Sequence, residues 1–218
     1  MILVPIKNTA EAKQRLASIL DQPSRTKLAQ AMLTDVLTTL HGWEHRPKVG
    51  IVTGDPYAIK LAGEYGFEVI ADLDNPGETG AIEMATWVCV ERGEDSTTVI
   101  PADIPLMEAW ELDEIYAHAP AEGTVLVPAG DGRGTNAAFR RPANLFPLRF
   151  GNDSFKPHHA AAQATSKPCV VLALPGIAVD VDNPADLQQL LSLPGDSQAQ
   201  RLARSWNLPA DLFAADAV

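Results

Sequence analysis

A chain of 218 residues with 46% hydrophobic and 21% charged side chains can bury a substantial core, and its composition excludes a disordered protein. With 28 acidic and 17 basic residues it carries a formal net charge of −11, which argues against a nucleic-acid partner, since such a footprint must be basic. No window approaches the roughly 20 apolar residues of a membrane span. The opening run MILVPI is too short for a signal peptide's apolar region. Cys89 and Cys169 each sit in an apolar segment, as small buried hydrophobes do, and the chain reads as cytoplasmic.

Met1–Pro5 is a short apolar run with the pattern of a buried strand, and Lys7, Lys13 and Arg15 follow directly on its end. Leu28, Met32, Val36 and Leu40 recur four apart, predicting a helix from about Ser24 to Leu40 that Gly42 stops. Lys48–Thr53 is the second strand. Asp55-Pro56 reads as a cap followed by a first-turn proline, starting a helix to about Tyr65. Phe67–Ala71 is the third strand, and the polar turn Asp72–Gly80 leads to a helix from about Gly80 to Arg92. Thr97–Pro101 is the fourth strand. A helix near Ala109–Ala117 and a strand at Thr124–Pro128 follow.

This alternation predicts an α/β domain whose mainly parallel sheet is covered on both faces. Ligands of such sheets bind outside the carboxyl ends of the strands. Further along, a helix is expected near Phe155–Thr165 and strands at Cys169–Leu174 and Ile177–Val181. Asp182-Asn183-Pro184 then caps a helix over Ala185–Leu191. The domain runs over 1–193, and residues 194–218 read as a helical tail.

The stretch Asp131–His159 stands apart from the acidic average. From Arg133 to Lys167 its basic residues are Arg133, Arg140, Arg141, Arg149, Lys156 and Lys167, and Asp153 is the only acid. With Gly132, Gly134 and Gly151 and the hydroxyls of Thr135 and Ser154, it suits a phosphate or carboxylate pocket. Glu68–Glu122 holds fourteen acids and one base, Arg92, which is the pattern of a solvated acidic face. Asp103 is the exception there. It follows a strand directly between Pro101 and Pro105, so it fits either an Mg²⁺ ligand or a turn and cap residue. Asp180 and Asp182, two apart on an expected strand, could face one ion together; alternatively Asp182 or Asn183 caps the next helix. There is no zinc-type Cys/His cluster, nucleophile elbow, P-loop or dinucleotide fingerprint. Residues 130–134 (GDGRG) suit a tight hairpin equally well.

Taken together, VPIK…AKQRL, PADIPL (101–106), GTNAAFRRP (134–142), FGNDSFKPHHAAA (150–162) and DVDNPADL (180–187) resemble the CofC/FbiD guanylyltransferases of coenzyme F(420) biosynthesis. The resemblance implies a single-domain nucleotidyltransferase fold related to GT-A glycosyltransferases, with a mixed, mainly parallel sheet. It implies a reaction of GTP with a three-carbon phospho-acid (2-phospho-L-lactate, phosphoenolpyruvate or 3-phospho-D-glycerate) that releases pyrophosphate. By position, Thr135, Gly151 and Ser154 would bind the phospho-acid, and Asp103, Asp180 and Asp182 would hold Mg²⁺. Pro5, Lys7, Lys13, Arg15 and Gly80 would face the nucleotide, with Asp103 and Lys13 catalytic. Two departures stand out. Ala81-Ile82-Glu83 follows Gly80 where the family often has Asn, and Ala102 precedes Asp103 where Gly is common.

The residue chemistry agrees with such a reaction. A phosphate monoester, with a second pKa of about 6, attacks phosphorus without a general base, and the protein supplies position and charge neutralisation. The sequence leaves open which acid is the acceptor and whether the chain forms a homodimer. It also leaves open a different acceptor, such as a molybdopterin or sugar phosphate, and a non-catalytic GTP-binding protein.

Overall fold

The computed structural model describes residues 1–72, 77–151 and 153–213. Its centre is a seven-stranded sheet: β1 (Ile2–Ile6), β2 (Val49–Thr53), β3 (Glu68–Ala71), β4 (Thr97–Val99), β5 (Gly123–Pro128), β6 (Thr135–Arg141) and β7 (Cys169–Val171), in the order β3-β2-β1-β4-β6-β5-β7. All neighbours pair in parallel except β6, which runs antiparallel between β4 and β5. The sheet is therefore mixed and mainly parallel, as the alternating pattern predicts.

Period-2 alternation divides the core between the two faces. Ile2 and Val4 of β1, with Val125 and Val127 of β5, pack on α1 (Gln22–Gly42), α2 (Pro56–Tyr65) and α4 (Ala109–Ala117). Leu3 and Leu126 point the other way, onto α3 (Gly77–Glu91) and α5 (Phe155–Ala164). A third cluster joins Leu28 and Met32 of α1 to Leu187 and Leu190 of α6 (Pro184–Ser192) and to Ala199 and Ala203 of α7 (Gln198–Ser205). The chain beyond Pro194 thus packs back on α1. No helix of the described residues is long and apolar enough to cross a membrane.

Several expectations need correction. Asp21 caps α1 by accepting the Ser24 amide at 2.9 Å, so that helix starts at Gln22 rather than Ser24. The third helix begins at Gly77, and the polar turn expected before it lies partly outside the described residues, as does the end of the tail. The strand expected at Cys169–Leu174 stops at Val171. Ile177–Val181 alternates like a strand but has no strand to pair with. Its backbone bonds to other loops instead, with Val181 N–H donating to Asp103 O at 3.2 Å and Gly130 N–H to Ala178 O at 2.8 Å. Of the two cysteines, Cys89 is buried, whereas Cys169 is half-buried; both are free.

Two details shape the carboxyl edge of the sheet. The amide of Ile2 donates to Lys48 O and the carbonyl of Leu3 accepts from Ile100, so the nitrogen of Pro5 faces the β4 side of β1. β4 ends at Val99, so the proline stands where the ladder with β4 has already stopped and costs little of it. Just beyond, Asp55 accepts the Ala58 amide at 2.9 Å as the cap of α2. Its other oxygen accepts the amide and hydroxyl of Thr9 at 2.8 and 2.9 Å, pinning the loop after β1. Asp55→Ala is expected to cost about 2–4 kcal/mol, a lost cap plus two buried hydrogen bonds, measured by denaturant unfolding.

Candidate active site

Two cavities open at the carboxyl edge and share one wall. The first, of about 420 Å³, lies after β1 and is lined by Pro5, Ile6, Met32 and Leu33 on its apolar side and by Lys7 and Lys13 on its polar side. The second, of about 470 Å³, lies after β5 and is lined by Arg15, Arg133, Thr135, Gly151, Ser154 and Asp180, among others. Glu78, Pro101 and Asp103 line both. Because β6 is antiparallel, its first residues, Thr135 and Asn136, meet the carboxyl ends of its neighbours at this edge.

Lys13 stands beside the shared wall. Its Nζ lies 2.6 Å from Asp103 Oδ2 and 2.8 Å from Asp182 Oδ1, and its side chain is 9% exposed. Burial opposes the ammonium's charge, but the two carboxylates outweigh it and raise the pKa above its ordinary value. The backbone of Lys13 is left-handed (φ 57, ψ 44), a region seldom occupied by residues other than glycine and often found at functional sites. Asn183 caps α6 through the amides of Ala185 and Asp186, so Asp182 is not needed there and its side chain meets Lys13. Burial works against the Asp182 carboxylate, yet Lys13, with Arg15 at 3.8 Å, holds its pKa below the usual range. Asp103 caps no helix, since Glu108 occupies the position before α4.

Asp180 and Glu78 have no salt-bridge partner among the described residues. Asp180 accepts from Asn136 Nδ2 at 3.0 Å, while burial, aided by Asp103, pushes its pKa up to about 6. Burial and the nearby Asp103 push Glu78 up to about 7 against the pull of Lys13. Glu78 was absorbed into the acidic face expected from composition. Only the placement of α3 turns it inward, and no local signal marks it.

The second cavity corrects the expected charge balance. Six carboxylates line it (Glu78, Asp103, Asp131, Asp153, Asp180, Asp182) against two guanidiniums, Arg15 and Arg133. Arg133 is itself engaged by Asp153, at 2.5 and 3.2 Å. Arg140, expected to be a pocket or surface cation, is 2% exposed within the sheet and donates to Phe146 O, Thr86 and Thr97. Arg141 is half-buried, with its guanidinium 5.3 Å from the centre of the Phe139 ring. Arg149, Lys156 and Lys167 are exposed and absent from the lining of both cavities.

Among the residues singled out from sequence, Thr135, Gly151, Ser154, Asp103, Asp180, Asp182 and Arg15 line the second cavity, and Pro5, Lys7 and Lys13 line the first. Lys7 also pairs with Asp72. Gly80 lies inside α3 and lines neither; Glu78, half a turn earlier, does. Asp180 and Asp182 share a cavity although they lie on a loop and not on a strand.

As arranged, no three His, Cys, Asp or Glu side chains among the described residues gather at metal-holding spacing. The Lys13 ammonium lies between Asp103 and Asp182. The chemistry of the donor set still suits a hard divalent cation: it is all carboxylate oxygen, and burial beside Asp103 raises Asp180 and Glu78.

This architecture is that of the nucleotide-diphospho-sugar transferase type. A Desulfovibrio desulfuricans protein provisionally described as such a transferase matches with a TM-score of 0.77 at 18% identity, covering 98% of this chain and 96% of its own. The synthase of 4-diphosphocytidyl-2C-methyl-D-erythritol gives a TM-score of 0.58 at 12% identity, over 87% of this chain and 96% of its own. The model of the family described as "Guanylyl transferase CofC like" matches residues 1–211, and the chain belongs to that family of nucleotidyltransferase enzymes. It is 34% identical to a phosphoenolpyruvate guanylyltransferase of Sphaerobacter thermophilus, over 86% of this chain and 90% of the relative. It is 30% identical to a 3-phospho-D-glycerate guanylyltransferase of Colwellia psychrerythraea, over 94% and 98%. Against a 2-phospho-L-lactate guanylyltransferase of Methanothermobacter thermautotrophicus the identity is 29%, over 87% and 82%.

The raised Glu78 has a consequence for stability. An acid whose pKa is higher folded than unfolded binds more protons in the native state, so stability falls as pH rises through the window between the two values, 4.5 to about 7. Glu78→Gln removes this term. In metal-free buffer the variant should match the parent near pH 4 and exceed it by on the order of 2 kcal/mol at pH 8, read from denaturant unfolding across pH.

Proposed function

We propose that the protein transfers a guanylyl group from GTP to a three-carbon phospho-acid and releases pyrophosphate, as a cytoplasmic step of coenzyme F(420) biosynthesis. The observation that carries this reading is the pair of cavities, one partly apolar with two lysines and one polar with hydroxyls and a bare glycine, meeting at Asp103. The names of the relatives, each a guanylyltransferase for one such acid, support it.

The first cavity takes the nucleotide. Pro5, Ile6, Met32 and Leu33 offer an apolar wall to the base and ribose, and Lys7 and Lys13 face the phosphates. The second takes the acceptor. Gly151 at φ 139 exposes backbone without a side chain, and Thr135 and Ser154 offer hydroxyls. Ser154 precedes the first turn of α5, whose positive dipole end favours an anion.

An oxygen of the acceptor's phosphate forms a bond to the α-phosphorus of GTP. The bond from that phosphorus to the bridging oxygen breaks, and its electron pair leaves with pyrophosphate. The attacking group is already largely dianionic near neutrality, so no side chain need remove a proton. The work of the chain is alignment and charge compensation, with Lys13 and Asp103 at the boundary where the substrates meet.

Two anionic substrates entering a site rich in carboxylates require added positive charge. Asp103, Asp180 and Asp182 are the residues that would hold Mg²⁺. When bound, the ion neutralises charge on the phosphates.

With GTP and each of the three phospho-acids side by side, chelation of divalent cations should abolish pyrophosphate release and Mg²⁺ should restore it. Asp103→Asn should lower that release at least about a hundredfold with its melting transition retained. Full activity of the variant would remove Asp103 from the site. Turnover only with CTP, or only with a sugar phosphate, would reject the reading.

A further inference from the structure

We propose that His158 is the positioning residue of the acceptor compartment: its neutral imidazole ties together the elements that carry Thr135, Gly151 and Ser154, and commits the Thr135 hydroxyl hydrogen to the bound phospho-acid. The proposal rests on the acceptor reading given above.

His158 lies in the first turns of α5 and is 1% exposed. Its Nε2 accepts the backbone N–H of Arg149 at 2.8 Å. A ring nitrogen that accepts an N–H must hold its lone pair, so the neutral ring carries its hydrogen on Nδ1. Nδ1 lies 2.9 Å from Thr135 Oγ1, and with the tautomer fixed it is the donor. The hydroxyl therefore receives a hydrogen bond from the protein and keeps its own hydrogen to give. No acceptor for that hydrogen is found among the described residues, and Thr135 faces the cavity. A phosphate or carboxylate oxygen is the acceptor this geometry calls for.

The same ring reaches the loop of Gly151, and the backbone of His158 reaches Ser154. Arg149 precedes Phe150 and Gly151, and the Phe150 ring stands edge-on to the imidazole at 5.1 Å. The amide of His158 donates to Ser154 O at 3.1 Å in the first turn of the helix. The strand of Thr135 and the loop leading to Gly151 thus meet on one imidazole, carried by the helix whose first turn starts at Ser154. Burial, with Arg140 nearby, lowers the ring's pKa to about 4, in keeping with the neutral form.

The test is steady-state kinetics with Mg²⁺, varying the phospho-acid at saturating GTP and then GTP at saturating phospho-acid, on the parent, Thr135→Val, His158→Gln, His158→Asn and the double variant of Thr135→Val with His158→Gln. Asn can donate near the Nδ1 position, whereas Gln reaches only toward the Nε2 position. His158→Gln is expected to raise the acceptor KM about 10- to 100-fold while the KM for GTP stays within about twofold. His158→Asn should recover most of the loss, and the double variant should fall well short of the product of the single effects. If Thr135→Val leaves the acceptor KM unchanged, the acceptor reading itself fails. If Thr135→Val raises it but His158→Gln does not, or if the two effects multiply, the positioning role is overturned. Should His158→Gln not fold, nitrogen-15 spectra of the parent decide: Nδ1 protonated and Nε2 bare is the expected state, with Nδ1 shifting on acceptor binding. The opposite tautomer would overturn the proposal.

Discussion

Lys13 places its ammonium between Asp103 and Asp182, residues 90 and 169 positions away along the chain, and both halves of the site depend on that contact. Charges this close and this sheltered attract strongly, yet each has also lost water, so the arrangement is sensitive to the removal of any partner. The left-handed backbone at Lys13 aims its side chain at the boundary between the cavities. The hydrogen bond from Val181 N–H to Asp103 O fastens the two acidic loops to each other. Glu111 supports the same region from α4, accepting the amides of Gly176 and Ile177 at 2.7 and 3.3 Å. The loop that carries Asp180 and Asp182 is therefore fixed by hydrogen bonds to side chains and to other loops, and not by a ladder.

Local chemistry was readable where it acts locally. The Asp55-Pro56 and Asn183-Pro184 pairs are caps with first-turn prolines, and both start helices where expected. The apolar runs became strands with their alternate residues on opposite faces. What could not be read is partner choice. The turn at 130–134 suits a hairpin with β5, as found, but nothing in Thr135–Arg141 marks β4 as its other neighbour, and that insertion brings Thr135 to the site. Ile177–Val181 has strand periodicity but no neighbour to use it. Charge in sequence says nothing of burial: within the sheet the Arg140 guanidinium donates to the Phe146 carbonyl and to the hydroxyls of Thr86 and Thr97.

The charge of the site departs furthest from what the sequence suggests. Basic residues cluster in the sequence around the acceptor segment, but most of them point elsewhere, and carboxylates from five different parts of the chain converge instead. Composition averages over a surface; a cavity samples only the few residues that topology turns inward. The pKa displacements of Glu78 and Asp180 are the electrostatic trace of that convergence.

β6 ends at the far edge of the sheet, so the chain must travel back along it to bring Gly151 and Ser154 to the site. Arg140 and Thr97 grip this return run through Phe146 O and Ala143 O. The first cavity is drawn mainly from residues 5–33 and 78–103, and the second mainly from 129–183. On the function proposed above, donor and acceptor recognition are written in consecutive blocks of sequence, joined at one wall. Within such a plan the return run can change its length or side chains, and with them the acid it admits, while the machinery that handles the nucleotide is inherited untouched.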